Sequence, residues 1–277
     1  MFTPDPDLVE KLSPHLERVL VVDPYEASAK VATDLLRGLG AWRVETVDNS
    51  RRAFERAESG TPQLIISECS GAGIDAIAFT RALRRSSFAC RRAPVIVASS
   101  QPKASEITAA RDAGAHEFLR KPYSATDLRR RVENVACKSR PWIEAVAYVG
   151  PDRRRFNSGG YSGARRRDMD RDVQRPQSAG QRFMQALAIL SSAVKTYDSD
   201  PGQAVRSMQA QVEVLSALAL RLAEPRLVNS VSALDRYLAS ANQSGSRRLI
   251  QALLEEGANP LTDLAETGAA LDLDKAA

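Results

Sequence analysis

The sequence predicts an α/β fold, a five-stranded doubly wound parallel sheet, followed by an Arg-rich linker and a small all-α helical bundle. Three observations predict it. Short β-branched apolar runs alternate with helical-period segments through the first half. Arginine, glycine and serine then displace the aliphatics for about forty residues. Beyond them only stripes of three- and four-residue spacing remain.

In order, RVLVVD (18–23) is a β-branched run suited to a strand buried on both faces. Ala27, Val31, Ala32, Leu35 and Leu36 give the next segment helical spacing, closed by GLG. WRVETVD (42–48) alternates as a strand and Ser50–Ala57 reads as a helix. PQLIIS (62–67) is a third strand, followed by a Gly-rich loop and a helix through Ile77, Phe79 and Leu83. APVIVASS (93–100), a helix over Ala104–Ala113, HEFLR (116–120) and a helix over Thr126–Val135 complete the alternation, with Ser124 placed to cap the last helix. Strands and helices alternating in this way indicate a parallel sheet. The expected organisation is an N-terminal extension (1–17), an α/β domain (18–138), a flexible Arg-rich linker (139–180), a helical interaction domain (181–256) and a C-terminal tail (257–277).

Composition excludes several classes of function. Cys69, Cys90 and Cys137 are an odd, widely spaced set, which suggests neither a disulfide framework nor a zinc site. His15 and His116 are the only histidines, so histidine chemistry is excluded from the C-terminal half. No nucleophile–histidine pair and no P-loop occurs, and neither a metal nor a cofactor is expected; the protein is expected not to be an enzyme. No apolar run approaches the roughly 20 residues of a membrane span, and the acidic first residues do not suit a secretory signal. A soluble, cytoplasmic protein without membrane insertion is expected.

Functional groups of a parallel α/β sheet gather beyond the carboxyl ends of its strands. Asp23, Glu68, Ser99 and Lys121 each end a strand in this reading, so the fold itself should bring them together. His116, beside a strand end, reads as an edge or surface residue, and the cysteines as small apolar core or loop residues.

RVLVVD, PQLIISE with its Gly-rich loop, PVIVAS and the Lys-Pro of RKPYS occur in an order that resembles the receiver domain of bacterial response regulators, over about 18–138. The resemblance implies an aspartate that accepts a phosphoryl group from a histidine kinase, an acidic pair that holds Mg²⁺, and switch residues that report the state to partners. This chain departs from the pattern where that chemistry sits. The phosphoacceptor position is Glu68, and the acidic pair is Asp23 followed by Pro24, where the direct metal ligand is expected. Ser99, Phe118 and Lys121 match the switch positions, and Asp75 lies in the loop after the third strand, where the family has no metal ligand. Mg²⁺ needs oxygen ligands in near-octahedral geometry and Pro24 supplies none. Glu68 places its carboxylate one methylene further out, within reach of Lys121 as a permanent ion pair. A pseudo-receiver is the expectation, with Glu68 either imitating the phosphorylated state or only silencing the site.

Two further regions carry weaker signals. Between Asp152 and Arg182 nine arginines face four aspartates, an excess equal to the net charge of +5 for the whole chain. Arg153, Arg154, Arg155, Arg165, Arg166 and Arg167 could bind phosphates, as Arg-rich tails of some receiver-like proteins bind cyclic dinucleotides; a solvated linker is the plainer reading. The helical half faintly resembles a histidine phosphotransfer bundle without its histidine.

The expected function is a non-catalytic signalling adaptor of a two-component system. Its partners would be a histidine kinase, phosphatase or other regulator, and the helical half could form a homo-oligomer. The alternative is an effector responsive to a cyclic dinucleotide or nucleic acid through the Arg-rich linker.

Overall fold

A computed structural model describes residues 6–138, 140–153, 178–223 and 225–244. The described chain forms two units, one of residues 6–143 with 148–153, the other of residues 144–147 with 178–244.

In the first unit β1 (Arg18–Val22), β2 (Arg43–Val47), β3 (Leu64–Glu68), β6 (Val95–Ser99) and β7 (Glu117–Arg120) form one sheet in the order β2-β1-β3-β6-β7. All four pairings are parallel, with Val22 opposite Val47 and Ser67, Glu68 opposite Ala98, and Ser99 opposite Arg120. Every residue of β3 and β6 is buried, as the uninterrupted apolar runs require. The crossovers are α2 (Glu26–Gly38), α3 (Ser50–Gly60), α4 (Ala76–Arg85) and α5 (Ala104–Ala113), with α6 (Ala125–Cys137) after β7.

Two apolar clusters cover the two faces of the sheet. Val19, Val21, Ile66 and Ile96 pack with Leu36 and Leu128, while Leu20, Ile65, Val95 and Val97 pack with Phe79 and Leu83. Alternate residues of each strand go to opposite sides. Local chemistry starts the helices where the sequence places them: Asn49, Asp75 and Ser124 accept from the amides of Arg52, Ala78 and Asp127 at 2.9, 2.8 and 3.1 Å. Gly114 ends α5 at φ +98°, and a Cβ there would lie 2.6 Å from the Val149 carbonyl oxygen.

Three features differ from the sequence reading. The N-terminal extension contains α1 (Pro6–Leu12) and a short turn, and it packs Leu12 and Leu16 into the core beside Leu128 and Val132. The segment expected to be flexible from residue 139 includes a two-stranded sheet, β8 (Trp142–Glu144) with β9 (Val149–Pro151). Tyr148 and Gly150 supply the reason, a buried hydroxyl bonded to the Pro151 carbonyl at 2.5 Å and a glycine at φ +157°. A further small ribbon, β4 (Ser70–Gly71) with β5 (Ile74–Asp75), shapes the loop after β3.

The second unit holds α7 (Ala179–Lys195), α8 (Pro201–Leu222) and α9 (Pro225–Ser244). Ser178 and Asp200 cap the first two, at 3.1 Å to the Gln181 amide and 3.0 Å to the Gln203 amide. Phe183, Leu190, Met208, Leu215, Leu227 and Leu234 form the core, the stripes expected of a bundle. A polar row lies beside them on α8: Gln203 bonds the Glu144 carboxylate at 2.9 Å, while Ser207 and Gln211 bond its carbonyl oxygen at 2.8 and 3.1 Å. The fourth helix expected over Ser246–Glu256 and the tail from 257 lie outside the described residues. Among the described residues no helix is long and apolar enough to cross a membrane.

Candidate functional site

The parallel register brings the ends of β1, β3, β6 and β7 to one edge, and Asp23, Glu68, Ser99 and Lys121 stand there. The Lys121 ammonium is the centre of the arrangement. It donates to Asp23 Oδ2 at 2.7 Å, to Ser28 Oγ at 2.8 Å and to a carboxylate oxygen of Glu68. An ammonium has three N–H donors, and here three acceptors meet them.

Each partner is itself held. Asp23 Oδ1 accepts from the Tyr25 amide at 2.9 Å, and Oδ2 also accepts from Ser28 Oγ at 2.7 Å. The Asp23 and Glu68 side chains are 5% and 7% exposed, so water competes little for either. Burial acts to lower the Lys121 pKa, but hydrogen bonds and charge from Asp23 and Glu68 outweigh it and raise the value above that of an ordinary lysine. Two carboxylates and one ammonium leave the cluster one negative charge in excess.

The other site residues take supporting positions. Ser99 Oγ accepts from the Gln101 amide at 3.3 Å, and the Ser99 carbonyl receives the Lys121 amide at 2.8 Å. Phe118 is buried in the cluster that contains Phe79 and Ala110. The Lys121–Pro122 peptide bond is cis. Asp75 serves as the cap of α4 rather than as a member of the acidic cluster. Cys69, next to Glu68, is pushed up to about 11 by burial and by the charges of Glu106, Glu68 and Asp75, so its thiol stays protonated near neutral pH.

Ser28 was missing from the sequence reading. Its signal is modest, a serine in the first turn of the helix that follows Asp23. His116 needs correction in part: it is 7% exposed rather than a surface residue, although it directly precedes β7, an outer strand of the sheet. Its Nδ1 lies 3.3 Å from both the Val95 amide and Arg84 Nη2, two donors that draw the ring inward. Of the two Arg triplets only Arg153 is described. It pairs with Asp112 at 3.1 Å and lies 4.4 Å from the Tyr148 ring centroid. Arg154, Arg155, Arg165, Arg166 and Arg167 lie outside the described residues.

A doubly wound five-stranded sheet with an acid–lysine cluster at its carboxyl edge defines the class of module present. The response regulator receiver domain family matches residues 19–133, and this part of the chain is a receiver domain, a module of two-component signalling. The chemotaxis protein CheY of Pseudomonas aeruginosa is 25% identical over 118 residues, 43% of this chain and 94% of that protein. CheY-3 of Vibrio cholerae is 21% identical over the same length, covering 43% of this chain and 90% of its own. Among solved structures, CheY4 of Vibrio cholerae covers 43% of this chain and 98% of its own at 22% identity and a TM-score of 0.41. The beryllofluoride-activated NtrC4 receiver domain dimer covers 43% and 96% at 23% identity and a TM-score of 0.40.

Proposed function

We propose that the protein is a non-catalytic signalling adaptor whose receiver domain acts as a pseudo-receiver, regulating partners by protein–protein contact. The observation that carries this reading is the closed cluster of Asp23, Glu68, Ser28 and Lys121. In a working receiver the resemblance calls for a phosphoacceptor aspartate and a Mg²⁺ site. The residues present do not fit that metal. Pro24 stands where the direct ligand is expected and offers no side-chain donor, and both remaining carboxylates already face a lysine ammonium.

Phosphoryl transfer depends on positioning and on neutralising charge. Glu68 is buried against Lys121, so its carboxylate is committed to an ion pair rather than presented to a donor. That pair imitates the contact of a phosphorylated acceptor with the lysine, carrying one negative charge where an acyl phosphate carries nearly two. Phe118, buried beneath the same edge, is in place to communicate the state of the cluster to partners such as a histidine kinase, a phosphatase or another regulator. The helical unit supplies a second interface or a homo-oligomer contact.

The test is paired. Incubation with acetyl phosphate and Mg²⁺, read by intact mass, is expected to leave the protein unmodified; stoichiometric phosphate on Glu68 would overturn the pseudo-receiver. Crosslinked capture from native lysate, compared between wild type and Glu68→Ala, is expected to yield a two-component regulator that the variant loses. Capture by neither bait refutes the adaptor, and capture by both removes Glu68 from the mechanism.

A further inference from the structure

At the opposite end of the sheet from Glu68 lies a second feature, unrelated to the acid–lysine cluster. An open groove of about 640 Å³ is bounded by α1, the β6 entry, the end of α6 and the start of β8. Lys11, Arg92, His116, Lys138, Arg140 and Trp142 line it, and no carboxylate does. Arg140 is neutralised by the buried Glu117. Lys11, Arg92 and Lys138 have no ion-pair partner among the described residues, so three cations stand over one groove without compensation.

His116 gives an independent sign of what the groove accepts. The Val95 amide can only donate, so Nδ1 of His116 must be the accepting nitrogen and the ring proton sits on Nε2. Arg84 Nη2 donates to the same Nδ1. The side chain is more than nine-tenths buried and lines the groove; its Nε2–H has no hydrogen-bond partner among the described residues but is not shut off from solvent. A ring N–H that opens on the groove is a donor available to an acceptor entering from outside the chain.

Arg84 sharpens the demand. It is 1% exposed, and its guanidinium is bound by the carbonyls of Gly114, Arg91 and Ala93 at 3.0, 2.6 and 2.9 Å, with no carboxylate in the set. Burial pulls its pKa down to about 9, the mark of a cation short of compensation. It lies 5.4 Å from the Trp142 ring centroid and Arg92 lies 5.5 Å from it, so both cations adjoin the groove through the indole.

We propose that this groove binds a small polyanion carrying a diphosphate, with the phosphates held by Lys11, Arg92 and Lys138 and one oxygen accepting the Nε2–H of His116. The groove exceeds the needs of a single inorganic phosphate, and uncompensated positive charge selects for more than one negative charge. Trp142 forms part of the lining and reports occupancy. The proposal does not depend on the state of Glu68.

The test uses the full chain carrying Trp42→Phe, which removes an indole that is 86% exposed and leaves Trp142 as the sole tryptophan. Inorganic phosphate, pyrophosphate and ADP are titrated separately while Trp142 fluorescence is followed. Pyrophosphate and ADP are expected to saturate, and phosphate to bind at least about tenfold more weakly. Affinity should fall steeply with salt, as it does when ion contacts release counterions. Arg92→Glu with Lys138→Glu should weaken pyrophosphate binding by about a hundredfold, one decade for each lost cation at about 1.4 kcal/mol apiece. His116→Asn keeps an oxygen for the Val95 amide and deletes only the outer N–H, so it should weaken binding by about tenfold with the circular dichroism spectrum unchanged.

Alanine at all six arginines of the two triplets should leave the affinity intact, and Glu68→Ala should do the same. Absence of saturation by all three probes at low salt would overturn the proposal. So would binding that survives the Arg92/Lys138 double variant, that ignores His116→Asn in a folded protein, or that disappears with the Arg triplets.

Discussion

Lys121 spans from the end of β7 to Asp23 at the end of β1, with Nζ 2.7 Å from Oδ2, and the same ammonium holds Glu68 at the end of β3. One cation therefore ties three strand ends together in a nearly dry place. Removing one partner of such a buried set leaves the others uncompensated, which makes the cluster a stability determinant as well as a candidate signal.

Lys121→Met should destabilise the receiver unit by about 3–5 kcal/mol in urea denaturation, because Asp23 and Glu68 would then face each other without a cation. Adding Glu68→Gln to that variant should recover part of the loss. The raised pKa of Lys121 fixes the sign of the pH dependence in the wild type. Its contribution is complete below the ordinary lysine value of 10.5 and is lost as pH rises through the raised folded value. A folded cluster that tolerates Lys121→Met without cost would show that the ion pairs are incidental.

Pro24→Asp combined with Glu68→Asp should create a Mg²⁺ site that the wild type is expected to lack. The double variant restores an oxygen donor beside Asp23 and withdraws one methylene from the pocket. Calorimetric titration with Mg²⁺ is expected to give heat for the variant and none for the wild type. Equal binding by both would contradict the reading of the pocket.

Stability should fall as pH drops below about 6.5, the ordinary histidine value. Burial, followed by the charges of Arg84 and Arg140, holds the His116 pKa well below that value. The unfolded chain therefore takes up a proton that the folded one refuses, and the loss grows as pH falls towards the depressed folded pKa. His116→Asn should flatten this slope in thermal melts taken between pH 7.5 and 5. An unchanged slope would assign the acid sensitivity to other groups.

In the helical unit Phe183 is 1% exposed and lies in the same core as Leu190 and Leu215. Phe183→Ala should cost about 3–5 kcal/mol from lost burial and the cavity left behind. Loss of helical circular dichroism at a lower denaturant concentration would be the readout. Asp200→Ala, which removes only a cap, should cost about 1 kcal/mol in the same assay.

Much of the α/β unit was legible because strand and helix periods are local properties of the chain. Val19–Val22, Leu64–Ile66 and Val95–Val97 announce buried strands by composition alone, and Ser124 and Asp200 announce helix starts. The convergence of Asp23, Glu68, Ser99 and Lys121 was also legible, since parallel strands must deliver their carboxyl ends to one edge. Ser28 was not, because a serine in a first turn looks the same whether it caps, faces solvent or bonds a distant lysine. Trp142–Pro151 read as linker because its order comes from long-range contacts, as with Gly114 against the Val149 carbonyl, and not from any periodicity. The Gln203, Ser207 and Gln211 row was overlooked for a related reason. Polar residues at four-residue spacing on a helix look like its wet face until a buried Glu144 backbone is found against them.

The sequence by itself determined the order of elements, the two-class architecture and the identity of the strand-end residues. Hydrophobic period and turn chemistry act over a few residues and survive in the linear text. Tertiary structure alone decided that Lys121 engages Asp23, Ser28 and Glu68 together, that His116 is buried with a fixed tautomer, and that α1 helps to wall a cationic groove. Each of those facts is a meeting of groups far apart in the chain. Their energies arise from burial and charge compensation, which exist only once the sheet has brought those groups together.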